Sequence, residues 1–256
     1  IIPVHFGGQA VNMARVNQLA ERFGLFVLED AAHAVETVSN IGKVGNTSHA
    51  AAFSFYANKN ITTGGEGGAL ATNDEQLADR VRKLSLHGMS KDGWKRFKTG
   101  GKWAYDVSEL GYKYNMTDLM ASIGLAQLKK LKWFNYRRKR IIKKYIDGLK
   151  YCKNIVPAFP YKLKNSSYWM FTLRCKSRDE LISFLKSKGI QTAVYFKPLP
   201  LHPLYKKYNF NIKNSLKVWK EFVTVPTFPK MNDKQVYFVI KCLREFDNKI
   251  QKHENL

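Results

Sequence analysis

Apolar positions recur along the chain with two different periods. Met13, Val16, Leu19, Ala20 and Phe23 fall at helical spacing, and Gly24 supplies the stop, because glycine enters the left-handed conformation that closes a helix without steric cost. Leu25 to Leu28 are apolar without alternation, the pattern of a strand covered on both faces in a parallel sheet. With Ile1 to His5 as a preceding strand, this predicts a β-α-β crossover unit. Gly42 to Asn46 is rich in turn residues and leads to a third strand, Ala50 to Phe55. A polar segment with a single lysine, Lys59, follows it. A glycine-rich turn, Gly64-Gly65-Glu66-Gly67-Gly68, then returns the chain as Ala69 to Ala71. Asp74 and Thr117 are N-cap residues for helices carrying Leu77, Val81 and Leu84, and Leu119, Met120, Ile123, Ala126 and Leu128, since their side-chain oxygens can accept the first free amides.

A domain boundary is expected near Leu131. Residues 1–131 read as part of a large α/β domain, and residues 132–256 as a smaller α+β domain. The second opens with a basic helix from Trp133 to Leu149. It continues with strands at Tyr168–Arg174 and Thr192–Phe196, a helix at Asp179–Lys188 ended by Gly189, and a closing helix from Asp233 to about Phe246. Between Leu86 and Val107 lies a long irregular segment rich in Gly, Lys and Trp, of the kind usually kept for function. Internal repeats and low-complexity tracts are absent from the sequence.

Charge alters this picture mainly in the second half. Residues 1–131 hold 15 Lys and Arg against 12 Asp and Glu, whereas residues 132–256 hold 28 against 8. An excess of that size can attract nucleic acid, a membrane surface or an anionic substrate. It can equally be the solvated side of helices such as the one bearing Arg137, Arg138, Lys139 and Arg140. Three widely spaced cysteines, Cys152, Cys175 and Cys242, read as reduced thiols, as in a cytoplasmic protein, rather than as a disulfide framework or a metal site. No apolar run approaches the roughly 20 residues that cross a bilayer.

Two polar positions stand at strand ends. A carboxylate, Asp30, follows the strand at Leu25–Leu28, and Lys59 follows the next strand. In an open α/β sheet both would converge on the carboxyl edge, where such folds bind ligands. A lysine shielded from water there loses part of its preference for the ammonium form, and the neutral amine can form a Schiff base with a carbonyl. A solvated loop lysine is the alternative reading.

Glu29-Asp30-Ala31-Ala32-His33-Ala34, then Phe53-Ser54-Phe55-Tyr56-Ala57-Asn58-Lys59-Asn60-Ile61-Thr62-Thr63 with its glycine turn, then Gly111-Tyr112-Lys113-Tyr114-Asn115-Met116-Thr117-Asp118, stand in order. Together these resemble the signatures of the DegT/DnrJ/EryC1/StrS sugar aminotransferases, pyridoxal-phosphate (PLP) enzymes of fold type I. The likeness continues through Phe196-Lys197-Pro198-Leu199, His202-Pro203-Leu204-Tyr205 and Val225-Pro226-Thr227-Phe228-Pro229. The resemblance implies an α/β fold, with residues 1–131 as part of the large PLP-binding domain and a mixed, mostly parallel sheet. It also implies that about the first hundred residues of such an enzyme lie ahead of Ile1, among them a Gly-Thr-Ala type turn for the cofactor phosphate.

The resemblance further assigns roles. Lys59 matches the Schiff-base lysine and proton carrier, and Asp30 the carboxylate that keeps the pyridine nitrogen protonated. His33 matches a neighbour of the cofactor's 3′ oxygen, and Ser54 a phosphate ligand. Asn115 matches a residue that reaches the phosphate from the other subunit of a homodimer. Tyr56, Lys197 and His202 match positions that contact a sugar nucleotide. Related dehydratases carry His in place of the lysine, so Lys59 favours amino transfer from glutamate to a nucleotide-linked keto sugar, of the 4-keto-6-deoxy-hexose class. Two other classes stay open from the sequence: a truncated member kept as a binding or regulatory module, and a basic nucleic-acid-binding protein. The second has no helix-turn-helix, zinc-ligand spacing or RNA-binding aromatic motif beside its charge.

Overall fold

The computed structural model describes residues 1–89, 106–161 and 163–254. The chain divides into two compact units, Ile1–Leu131 and Lys132–Leu256.

In the first unit, helix α1 (Met13–Phe23) is capped by the Asn12 side chain and ends at Gly24, whose φ of 60° is left-handed. Strand β1 (Leu28–Asp30) pairs parallel with β2 (Ala50–Ser54), which pairs antiparallel with β3 (Gly68–Thr72). On the outer side of β1 the chain start runs parallel to it. The Leu28 amide donates to Ile1 O at 3.0 Å, the Asp30 amide to Pro3 O at 2.9 Å, and the His5 amide to Asp30 O at 3.1 Å. The sheet is therefore mixed. Helix α2 (Glu75–Leu84) starts where Asp74 accepts from the Leu77 amide, and α3 (Asp118–Leu128) where Thr117 accepts from the Met120 amide.

The apolar run Leu25–Leu28 enters the sheet only at its last residue, contrary to expectation. The amides of Gly24 and Leu25 close the final turn of α1 on Glu21 O and Ala20 O, so strand pairing cannot begin until later. Leu25 and Phe26 stay 41% and 50% exposed. The irregular stretch expected between Leu86 and Val107 lies largely outside the described residues. Its two ends are joined by a bridge between Met89 and Val107.

The second unit begins with α4 (Leu131–Gly148), continuing from Leu131, and carries an antiparallel sheet in the order β4 (Val156–Pro157), β5 (Phe171–Arg174), β6 (Phe222–Val225). Helices α5 (Arg178–Ser187) and α7 (Asp233–Glu254) share its core with α4. Tyr145 of α4 stacks on Phe171 of β5 with ring centroids 5.2 Å apart. Helix α6 (Lys213–Glu221) leads directly into β6. The Tyr168–Arg174 strand is shorter than expected, because Tyr168 adopts a left-handed φ of 52°. At Thr192–Phe196 the expected strand is reduced to one pair, Ala193 with Thr224, after which Tyr195 packs its ring against Trp169. Among the described residues, no helix is long and apolar enough to cross a membrane.

Candidate active site

The first unit builds a polar cluster at the carboxyl ends of β1 and β2. Asp30 closes β1, and its Oδ1 accepts the Ala32 amide at 3.0 Å, which turns the chain so that His33 follows. His33 is buried. Its Nδ1 accepts the Gly7 amide at 3.3 Å, and the Phe6 ring meets it edge-on at 5.9 Å. Beyond β2, the Tyr56 amide donates to Ser54 Oγ at 3.3 Å and the Lys59 amide to Tyr56 O at 3.0 Å. Those two bonds wind the segment that presents Lys59.

Lys59, Asp30 and His33 share one electrostatic field although 29 residues of sequence separate the first two. Burial pushes the Lys59 amine below its ordinary value, and Asp30 opposes that shift. His33 is pushed down to about 4, first by burial and next by the charge on Lys59, with Asp30 again opposing. Two neighbouring cations repel, so the weaker and more deeply buried base, the imidazole, gives up its proton.

The glycine turn is shaped by the same neighbours. The Phe55 amide donates to Gly67 O at 2.8 Å, and Thr63 Oγ1 donates to Glu66 O at 2.7 Å. A side chain on Gly67 would run into Thr63 Oγ1 and stand 3.3 Å from Met116 Cε, and one on Gly68 would lie 2.7 Å from Phe53 O. Only glycine fits. Met116 and Ile123 thus bring the start of α3 against this turn, and Asn115 with it. Asn115 Oδ1 is buried and has no hydrogen-bond partner among the described residues.

Asp30, His33 and Lys59 are thus brought together, with Ser54 and Tyr56 on the same segment as Lys59. Tyr56 is 43% exposed. Lys197, exposed, and His202, half-buried, belong to the second unit. The sequence reading missed His5 and Glu29, both completely buried and joined at 2.9 Å. The alternation along β1, which sends Glu29 and Asp30 to opposite faces, is the signal that could have found them.

The profile of the DegT/DnrJ/EryC1/StrS aminotransferase family matches residues 1–244. The chain belongs to this family. It is 41% identical over 257 residues to the spore coat polysaccharide biosynthesis protein SpsC of Bacillus subtilis, covering 96% of this chain and 66% of SpsC. Among solved structures it is similar to PseC of Helicobacter pylori, an aminotransferase involved in the biosynthesis of pseudoaminic acid. The TM-score is 0.89 and the identity 25%, over 97% of this chain and 67% of PseC. It is also similar to Spr1654 of Streptococcus pneumoniae in its PLP form, with a TM-score of 0.85 and 29% identity over 98% and 68% of the two chains. The chain spans about two-thirds of the length of the curated relatives it matches. The architecture is that of the fold type I PLP enzymes.

Family and neighbours point to pyridoxal phosphate as the cofactor. The residues present fit that group. An amine depressed by burial, a carboxylate acting on it and a buried neutral imidazole form a donor set suited to a pyridine aldehyde. The buried Asn115 Oδ1 marks polar capacity that this chain's described residues leave unused.

Proposed function

We propose that the protein is a PLP-dependent aminotransferase that moves an amino group from glutamate to a nucleotide-linked keto sugar, of the 4-keto-6-deoxy-hexose class. Its product would serve amino-sugar and cell-surface polysaccharide biosynthesis in the cytoplasm. The observation that carries this reading is the half-buried amine of Lys59 coupled to Asp30 and His33 at one sheet edge. The roles of SpsC in spore coat polysaccharide biosynthesis and of PseC in the biosynthesis of pseudoaminic acid support the sugar class.

When bound, the cofactor supplies an electron sink for the substrate carbon. The chain's own groups do the rest. Lys59 Nζ would hold the cofactor covalently and, once released, carry a proton on and off the reacting carbon as a general base and acid. Asp30 would keep a proton on the ring nitrogen. Ser54 Oγ would donate to the phosphate, and Asn115 would reach the phosphate held by a second copy of the chain. Tyr56, Lys197 and His202 would contact the sugar nucleotide. We assign residues 1–131 to the cofactor-binding domain and residues 132–256 to the small domain of such an enzyme.

The test is spectroscopic and chemical. Pyridoxal phosphate added to the purified chain should give a new absorbance band, and borohydride followed by peptide mapping should leave the pyridoxyl group on Lys59. Lys59→Ala should abolish both the band and turnover with glutamate and a nucleotide keto sugar. A label on another lysine, or a Lys59→Ala variant that keeps band and turnover, would overturn the assignment.

A further inference from the structure

Behind the candidate site lies a buried polar relay that the proposed chemistry does not use. Glu29 is completely buried on the face of β1 opposite Asp30. Its Oε2 accepts a hydrogen bond from His5 Nε2 at 2.9 Å, and its Oε1 accepts from Thr47 Oγ1 at 3.0 Å and Ser48 Oγ at 2.7 Å. Burial works against the charge, yet these donors hold the Glu29 carboxyl below its ordinary value. His5 Nδ1 accepts the Val11 amide at 3.1 Å. A ring nitrogen that accepts an amide proton carries none of its own, so His5 is neutral with its proton on Nε2.

Between His5 and Val11 the backbone makes a tight turn, Phe6–Gly8, with Gly7 and Gly8 at φ of 64° and 85°. Thr37 Oγ1 ties it down through Gly8 O at 2.8 Å. This is the turn whose Gly7 amide donates to His33 Nδ1 and whose Phe6 ring abuts His33. The segment is therefore closed at both ends on His5, which Glu29 fixes, while its middle touches His33, which stands beside Lys59 and Asp30.

We propose that Glu29 and His5 are positioning residues, which through the Phe6–Val11 turn hold His33 neutral with its proton on Nε2. The third group of the site is then a neutral imidazole and not a second cation beside Lys59. A cofactor role for that imidazole rests on the proposed function, whereas the tautomer does not.

Histidine-selective ¹⁵N labelling of the chain tests this, with the His33 signals assigned by their loss in His33→Gln. At neutral pH wild-type His33 should show the Nε2–H form alone, and an Nδ1–H or protonated ring would overturn the proposal. Glu29→Gln keeps the shape but removes the anion, and it should convert the single His33 tautomer into a mixture. A folded Glu29→Gln variant with His33 unchanged would also overturn it. Where circular dichroism shows Glu29→Gln unfolded, Thr47→Val with Ser48→Ala, which unclamps the carboxylate but leaves it in place, should broaden or mix the His33 tautomers. Unchanged His33 signals there refute the relay. A pure Nε2–H tautomer in a chain that takes up no pyridoxal phosphate would spare the relay and count against the proposed function. Uptake with a mixed wild-type tautomer would do the reverse.

Discussion

At Lys59 burial and the Asp30 carboxylate pull in opposite directions. Burial penalises the ammonium and Asp30 favours it. Asp30→Asn keeps the size and removes the charge, so the Lys59 amine should titrate at still lower pH, as read from ¹³C-labelled lysine signals. An unchanged titration would mean that the two groups do not act on each other. His33 gives a second prediction with a definite sign. The unfolded chain takes up a proton on His33 below about pH 6.5, and the folded chain only below about 4. Stability attributable to the neutral imidazole is therefore complete above that window and lost as pH falls through it, by up to about 3 kcal/mol. Urea unfolding at pH 7 and pH 4.5 should show this loss in wild type and a smaller one in His33→Gln.

Among the elements, α7 does more than cover the small domain. Asp247, buried within it, accepts the amides of Lys153, Asn154 and Ile155 at 3.2, 2.7 and 3.1 Å and the Gln251 side chain at 2.6 Å. One carboxylate thus gathers the chain that follows α4 and carries it toward β4. Asp247→Asn replaces an acceptor by a donor facing an amide and should cost about 2–3 kcal/mol, measured by chemical denaturation of the chain. A cost near zero would mean that the loop finds other acceptors. Helix α3 differs in kind. Of its apolar residues, Leu119, Leu125 and Leu128 are 74%, 62% and 48% exposed. The helix forms where the spacing placed it, but spacing says nothing of what covers its apolar residues.

For the whole molecule, the exposed α3 face and the buried, unsatisfied Asn115 Oδ1 both follow if a second copy packs here, as the proposed homodimer requires. Leu119→Glu with Leu125→Glu should leave the helix content intact and shift sedimentation toward the monomer. Unchanged association would place the contact elsewhere. The imbalance of 28 Lys and Arg against 8 Asp and Glu in residues 132–256 is distributed over exposed helix positions such as Lys139, Arg140 and Lys143. Several of the basic groups are engaged with neighbours, as Lys143 is with Asp147 and Lys144 with Asp233 and the Tyr237 ring.

Local chemistry alone determined the stops and starts. Gly24 ends α1, Asp74 and Thr117 begin α2 and α3, and the glycines after Lys59 form the turn, because caps and left-handed residues act within a few positions of themselves. The order of three short motifs likewise named the family without any distance being known. Tertiary structure decided what depends on residues far apart in sequence. It reduced Thr192–Phe196 to a single pair. It also put the charge of Lys59 on His33, which no local pattern records, and seated Glu29 against His5, of which the alternation along β1 records only that Glu29 and Asp30 face opposite ways. Burial and electrostatic coupling belong to the space between elements, and that space exists only once the chain has folded.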